Sequence, residues 1–255
     1  MTDLKISAFL VTLNESNTIA EAIKSVIELD EVIVVDSGSS DGTIEIAESL
    51  GAKVIHQEWL GFAKQKSFAL EQCRNEWCIN LDGDETIPLT TLTEIKTLIG
   101  TSTCDTIRIP IEDYVLGAPM HRLSRKRSIV RAFKKSMVSY PLDRMVHENI
   151  VSTGIEATIS SRIIHYGYDD LYTFMEKQNK YARLSALSKF QKGKKASISK
   201  LSLVFIFTFI KVYFFRRLFL SGARGLIQST IEAMYAFLKE SYLYAENRKQ
   251  KNIIK

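Results

Sequence analysis

Asp82 and Asp84 stand one residue apart at the end of the apolar run 77–81 (WCINL), with Glu85 directly after them. Carboxylates at that spacing can share a hard divalent cation, which takes oxygen ligands. A diphosphate would supply further oxygens, and the cation would offset the charge that grows on it as a leaving group. Alone, Asp-x-Asp is a weak signal, because loops are rich in acids. Its company sharpens it. Thr12, Asn14 and Glu15 close one apolar run, and Asp36-Ser37 closes another. Asp41, just ahead of Gly42 and a helical stretch, reads as a helix cap.

Three polar clusters can act together only if the chain carries their ends to one place. The run 6–13 has strand length, and 14–27 has helical spacing, with Ile19, Ala22, Ile23 and Val26 on one face. The run 32–35 is short and continuously apolar, as expected of a strand covered on both faces of a parallel sheet. A helix over 43–50, stopped by Gly51, leads to a third strand at 53–56. Another helix begins near Ala63, and 77–81 makes the fourth strand. Strand and helix alternating at this spacing predict right-handed crossovers and a doubly wound, mostly parallel α/β sheet. Ligands of such sheets sit beyond the carboxyl ends of the strands, where all three clusters fall.

Further along, Pro88 and Gly100 bracket a predicted helix with Leu92, Ile95, Leu98 and Ile99 on its apolar face. A strand over 105–116 runs into a loop at 117–119. Seven basic residues follow (Arg122, Arg125, Lys126, Arg127, Arg131, Lys134, Lys135), suited to carboxylates or phosphates on an acceptor. After Asp169-Asp170 comes a helix with Leu171, Phe174, Met175, Gln178 and Ala182 at helical spacing. From 177 to 231 there is no acidic residue and there are twelve Lys and Arg. The stretch 201–220 within it is nearly all apolar but broken by Lys211 and Arg216-Arg217. A central charge costs roughly 2.5 to 3.5 kcal/mol on insertion, which argues against a simple spanning helix. It reads instead as a membrane-surface helix or as a buried cap on the core.

The 255 residues, 45% hydrophobic and 25% charged, suit one α/β domain with an appendage. A net charge of +5 points to an anionic partner. No recognised nucleic-acid module accompanies that charge, so nucleic acid is not the expected partner. Cys73, Cys78 and Cys104 lack Cys-x-x-Cys spacing and read as reduced, buried thiols of a cytoplasmic protein. The first residues carry no secretory signal pattern, and no internal repeat is found.

Four stretches, SAFLVTLNE at 7–15, VIVVDSGSSDGT at 32–43, GFAKQK at 61–66 and NLDGDE at 80–85, together resemble the family 2 glycosyltransferases in order and spacing. The likeness is strongest to the branch that adds glucose to the heptose of the lipopolysaccharide inner core. VHE at 146–148 and the basic, aromatic tail extend it more loosely.

The resemblance implies a GT-A fold, Rossmann-like with a mostly parallel central sheet, and a basic, apolar helical C-terminal extension. It divides the chain into a nucleotide-sugar-binding half at 1–100, an acceptor-binding half at 101–190 and a membrane-associated extension at 191–255. Thr12, Asn14 and Glu15 would lie along the nucleotide, Asp36 at uracil or ribose, and Lys64 and Lys66 at uracil or diphosphate. Asp36-Ser37 replaces the adjacent aspartates commoner in the wider family. Asp82 would touch the ribose or the metal, Asp84 would hold Mg²⁺ or Mn²⁺ directly, and His165 would complete the metal shell. Inversion by single displacement needs a base for the acceptor hydroxyl, and Glu148 takes that role. On an extended segment His147 and Glu148 face opposite ways, so only one can point into the site.

The implied activity is transfer of a hexose from a UDP-sugar to a lipid-linked or lipopolysaccharide-core acceptor. Its place would be the cytoplasmic face of the bacterial inner membrane, where the protein meets an anionic surface peripherally. Polyprenyl phosphate or another glycan is the alternative acceptor. A catalytically inactive protein that binds membranes or anionic polymers is the alternative of a different class.

Overall fold

A computed structural model of the chain describes residues 4–141, 150–168 and 170–253. Contacts along the chain gather it into two units, one of 1–112 with 127–166 and one of 113–126 with 167–255.

In the first unit, β1 (Ile6–Thr12), β2 (Glu31–Asp36), β3 (Lys53–His56) and β4 (Trp77–Asp82) pair in parallel in the order β3-β2-β1-β4. Helices α1 (Ile19–Lys24), α2 (Thr43–Ser49) and α3 (Phe62–Gln72) are the crossovers. Every residue of β2 is buried, and all of β1 but Val11, as the continuous apolar runs predict. Alternate residues feed two cores. Ile6, Ala8, Leu10, Val32 and Val34 pack with Ile19 and Ile23 of α1, whereas Phe9, Ile33 and Val35 pack with Ala63, Ala69 and Leu70 of α3. Each large aliphatic chain so buried contributes about 1.5 to 3 kcal/mol, which makes this half a rigid platform.

The chain then forms β5 (Glu85–Thr86), α4 (Leu89–Thr101), β6 (Thr106–Val115), β7 (Ala118–Pro119) and β8 (Ser128–Lys134). It continues with β9 (Val138–Ser139), β10 (Val151–Ser152), β11 (Glu156–Thr158) and β12 (Ile163–Tyr168). The sheet runs on from β4 as β4-β8-β6-β12-β5, and β8 lies antiparallel to both β4 and β6. β9 and β10 form a separate pair.

Two expected boundaries move. The predicted helix over 14–27 contracts to α1, because Asn14 adopts a left-handed backbone (φ 55°) and a turn through Glu15 delays the helix to Ile19. Gly100 does not end the next helix. Ser102 ends it, taking the left-handed conformation at φ 54° while its N–H bonds to the Ile99 carbonyl at 3.1 Å.

The second unit is built on α5 (Leu171–Gln191), α6 (Ile198–Ile210) and α7 (Gly222–Ile253), with α5 and α6 both packed on α7. Asp170 caps α5 by accepting from the amides of Tyr172 and Thr173. Glu240, 2% exposed, accepts from Lys189 at 2.5 Å and lies 3.1 Å from Lys200, tying the three helices. The apolar stretch 201–220 is not one helix. After α6 a wider helical turn spans 211–215, Arg217 takes a left-handed backbone (φ 59°), and the chain restarts at Gly222. Val212 and Leu218 turn inward against Val115 and Met120. α6 itself buries no residue. Its Leu203, Ile206 and Phe207 are exposed, as are Phe214 and Phe215 beyond it. The 18 residues Ile198–Phe215 have mean hydropathy 1.8 and are long and apolar enough to cross a membrane by length and composition.

Candidate active site

The carboxyl ends of β1 and β2 are stitched together by their own side chains. Asp36, fully buried, accepts from the amides of Gly38 and Ser39 at 2.8 Å and from the Ser39 hydroxyl at 2.5 Å. The Ser39 hydroxyl in turn accepts from the Asn14 amide at 2.8 Å, and Asn14 Oδ1 accepts from the Ser40 amide at 2.9 Å. The amide of Glu15 donates to Thr43 Oγ1, and that of Ser16 to Asp41. Asp41 also accepts from the amide and hydroxyl of Thr43, the first residue of α2. The N-cap itself is Gly42, in a left-handed backbone, and Asp41, one residue before it, satisfies the first helical amide. Slight burial pushes the Asp41 carboxyl up, but its bonds from Thr43 and Ser16 outweigh that and hold it down to about 2.

Gln65 braces the next loop. It is fully buried, donates to Ser37 Oγ and the Gln57 carbonyl, each at 3.0 Å, and accepts from the Leu60 amide at 3.1 Å. It lies within the GFAKQK stretch, yet sequence reasoning gave it no role. An uncharged Gln at an inward position of α3 was the available signal.

The Asp82-Gly83-Asp84 turn follows β4 and lodges against the β1 loop. A Cβ at Gly83 would lie 3.1 Å from Thr12 Oγ1 and 3.2 Å from Glu15 Cγ, so a side chain there would require those two side chains to give by a few tenths of an ångström. Thr12 Oγ1 is buried there with no partner among the described residues. Asp82 Oδ1 is 2.9 Å from Lys66 Nζ, and Asp82 Oδ2 accepts from Arg131 at 2.7 Å. Burial pushes the Asp82 carboxyl up, but Arg131 and Lys66 more than reverse this and hold it well below the usual carboxylate range. Across the turn β12 pairs with β5, His165 opposite Glu85, and the Tyr166 amide donates to the Asp84 carbonyl at 2.9 Å. That register brings His165 Nε2 to 3.5 Å from Asp84 Oδ2.

The residues singled out in the sequence thus divide. Thr12, Glu15, Lys66, Asp82, Asp84 and His165 meet at one turn, and Asn14 and Asp36 form the adjoining loop. Lys64 is exposed on the first turn of α3. His147 and Glu148 lie outside the described residues. The basic run 122–135 is not one acceptor-facing surface. Arg131 is 3% exposed, Lys134 pairs with Asp105 at 2.8 Å, and Lys135 donates to the Glu71 and Cys73 carbonyls at the end of α3. The three cysteines are buried and unbridged.

The donor set fits a divalent cation through two groups. Among the described residues no three His, Cys, Asp or Glu side chains gather as a complete cage. An oxygen of Asp84 and a ring nitrogen of His165 do face each other, while Asp82 is engaged by two cations. Mg²⁺ and Mn²⁺ suit such a partial shell, since substrate phosphates and water complete their coordination.

Residues 7–141 match the model of glycosyl transferase family 2. The chain belongs to that family. The glycosyltransferase is 34% identical over 98% of its length to an uncharacterized glycosyltransferase of Rickettsia conorii, covering 93% of that relative. It is 31% identical to the lipopolysaccharide core biosynthesis glycosyltransferase LpsC of Rhizobium meliloti, over 94% of this chain and 92% of LpsC. Among solved structures it resembles S. aureus TarS 1-349 in complex with UDP-GlcNAc, with TM-score 0.53 at 15% identity, over 97% of this chain and 92% of that one. The enzyme therefore has the GT-A fold, a mostly parallel central sheet followed by a helical C-terminal region.

Proposed function

We propose that this glycosyltransferase moves a hexose, glucose by its branch likeness, from UDP to a heptose of the lipopolysaccharide inner core, with inversion. The observation that carries the donor side is the Asp82-Gly83-Asp84 turn lodged on the Thr12–Glu15 loop, with Asp84 facing His165. UDP-GlcNAc in the TarS structure supports a uridine donor, and the full-length likeness to LpsC supports a lipopolysaccharide-core acceptor. Residues 1–100 form the donor half, 101–190 the acceptor half and 191–255 the membrane-associated extension.

Asn14 and Asp36 shape the loop that receives the nucleoside, and Thr12 and Glu15 line its approach to the diphosphate. Lys64 and Lys66 supply positive charge toward the uracil or diphosphate, and Asp82 meets the ribose. Asp84 and His165 would hold Mg²⁺ or Mn²⁺. When bound, that cation stabilises the negative charge of the departing UDP. The acceptor hydroxyl oxygen attacks the anomeric carbon as the bond from that carbon to the diphosphate oxygen breaks. Glu148 accepts the hydroxyl proton in the same step, so one displacement inverts the anomeric centre.

Binding tests the donor assignment. Calorimetric titration in Mn²⁺ should give micromolar affinity for UDP and at least tenfold weaker binding of GDP and CMP. Equal affinity for all three would refute a uridine donor.

The exposed apolar residues of α6, set among Lys194, Lys195, Lys200 and Lys211, support seating on the anionic cytoplasmic face of the inner membrane. Flotation should recover the protein with phosphatidylglycerol vesicles and lose it as salt rises. Equal recovery with neutral phosphatidylcholine vesicles would contradict the electrostatic part.

A further inference from the structure

Arg131 lies on β8 beside β4 and carries its charge into the floor of the site. Its side chain is 4% exposed, and its two terminal nitrogens reach three acceptors. Nη1 donates to Asn80 Oδ1 at 2.8 Å, while Nη2 donates to Asp82 Oδ2 at 2.7 Å and to Glu85 Oε1 at 2.6 Å. Glu85, fully buried, also accepts from the Asp82 amide at 3.1 Å. These acceptors bracket Gly83 and Asp84. One planar guanidinium therefore ties the last residue of β4 to the first of β5 and fixes the span that the turn must cross.

As a stability device the arrangement is poor. Desolvating a guanidinium and two carboxylates offsets most of their attraction, and Arg131 Nε has no partner among the described residues. As a geometric device it is strong, because the guanidinium fork fixes directions that a lysine ammonium, a single flexible point charge, would leave loose. Burial pushes the Arg131 pKa down, yet Asp82 and Glu85 raise it above the ordinary arginine value, so the fork stays charged at any working pH.

We infer that Arg131 is a positioning residue for the metal site: through Asp82 and Glu85 it holds Asp84 opposite His165, without itself touching donor or acceptor. This rests on the proposed metal role of Asp84. Groups that orient ligands in this way typically change metal affinity by about 10- to 100-fold when removed.

The test uses the full-length protein, with UDP present, and follows free Mn²⁺ by electron paramagnetic resonance alongside thermal unfolding. Arg131→Lys should weaken Mn²⁺ binding by about 10- to 100-fold. It should also lower the unfolding midpoint, because one ammonium cannot satisfy all three buried acceptors, and cause a smaller loss of metal-free UDP affinity through Asp82. Glu85→Gln, which keeps the side-chain volume, should weaken Mn²⁺ in the same direction and decides the matter if the arginine variant does not fold. Asp84→Ala separates the two ideas. Wild-type Mn²⁺ affinity in that variant would sink the metal reading itself. Loss there, with unchanged affinity in folded Arg131→Lys and Glu85→Gln, would overturn the role of Arg131 alone. A loss of metal-free UDP affinity in Arg131→Lys as large as the loss of Mn²⁺ affinity would also overturn it, by making Arg131 a support of the nucleotide.

Discussion

Asp84→Ala is expected to lower kcat for glycosyl transfer by about 10³-fold or more, corresponding to about 4 kcal/mol of lost charge stabilisation on the leaving diphosphate. The carboxylate and His165 are the paired donors at the turn, and alanine removes one of the two. The fold should survive. The turn is held by Asp82, Glu85 and the Tyr166-to-Asp84 main-chain bond, none of which needs the Asp84 carboxylate. Steady-state transfer with graded Mn²⁺ checks this, beside a thermal melt expected to move by less than about 4 °C, the shift from roughly 1 kcal/mol in a chain of this size. Turnover equal to wild type, in the variant and in chelator, would remove the metal from the mechanism.

The second large effect is expected at Glu148. Glu148→Gln keeps size and polarity but cannot take a proton, so kcat should fall by roughly 10²- to 10⁴-fold. Donor KM and UDP affinity should stay within a factor of two or three, since the base is assigned to the acceptor side. The pH profile adds a second mark. A general base works only when ionised, so wild-type kcat should fall as pH drops through its pKa, and Glu148→Gln should lack that acid limb. Retention of both full rate and the acid limb would move the base elsewhere.

Much of the donor half was legible in the sequence. The run 32–35 read as a strand covered on both faces and the runs 6–13 and 77–81 as its neighbours by length and alternation with helices, so their polar endings were expected to share one edge of the sheet. Asp41 and Gly42 announced the start of the helix behind them, with Gly42 as the N-cap and Asp41 bonding the first helical amide. Less visible was what the clusters do to one another. The Asp36 bonds to Gly38 and Ser39 are local, the turn an Asp favours. The bonds of Asn14 with Ser39 and Ser40 are not legible in any spacing, because they need a left-handed backbone at Asn14 and two loops 25 and 26 residues apart meeting in space.

Arg131 illustrates the sharper limit. Counted with its basic neighbours it looked like part of a solvent-facing cluster. Within SIVRAFK it is the residue at a β-bulge against β6, between Val130 and Ala132 on a strand beside β4, and its charge turns inward there. The cue was present, but pairing with Asp82 and Glu85 is a non-local fact. The stretch 201–220 failed as a single helix for a related reason: Val212 and Leu218 find partners at Val115 and Met120, and the backbone bends at Arg217 to deliver them.

The most direct test of the central claim is transfer of labelled hexose from a panel of nucleotide sugars to purified lipopolysaccharide cores of graded truncation, with and without Mn²⁺. Metal-dependent transfer from UDP-glucose that requires the first heptose and yields the inverted anomer is the expected result. Transfer to polyprenyl phosphate instead of any core would contradict the acceptor assignment. Absence of turnover with every donor would contradict the enzyme's proposed chemistry.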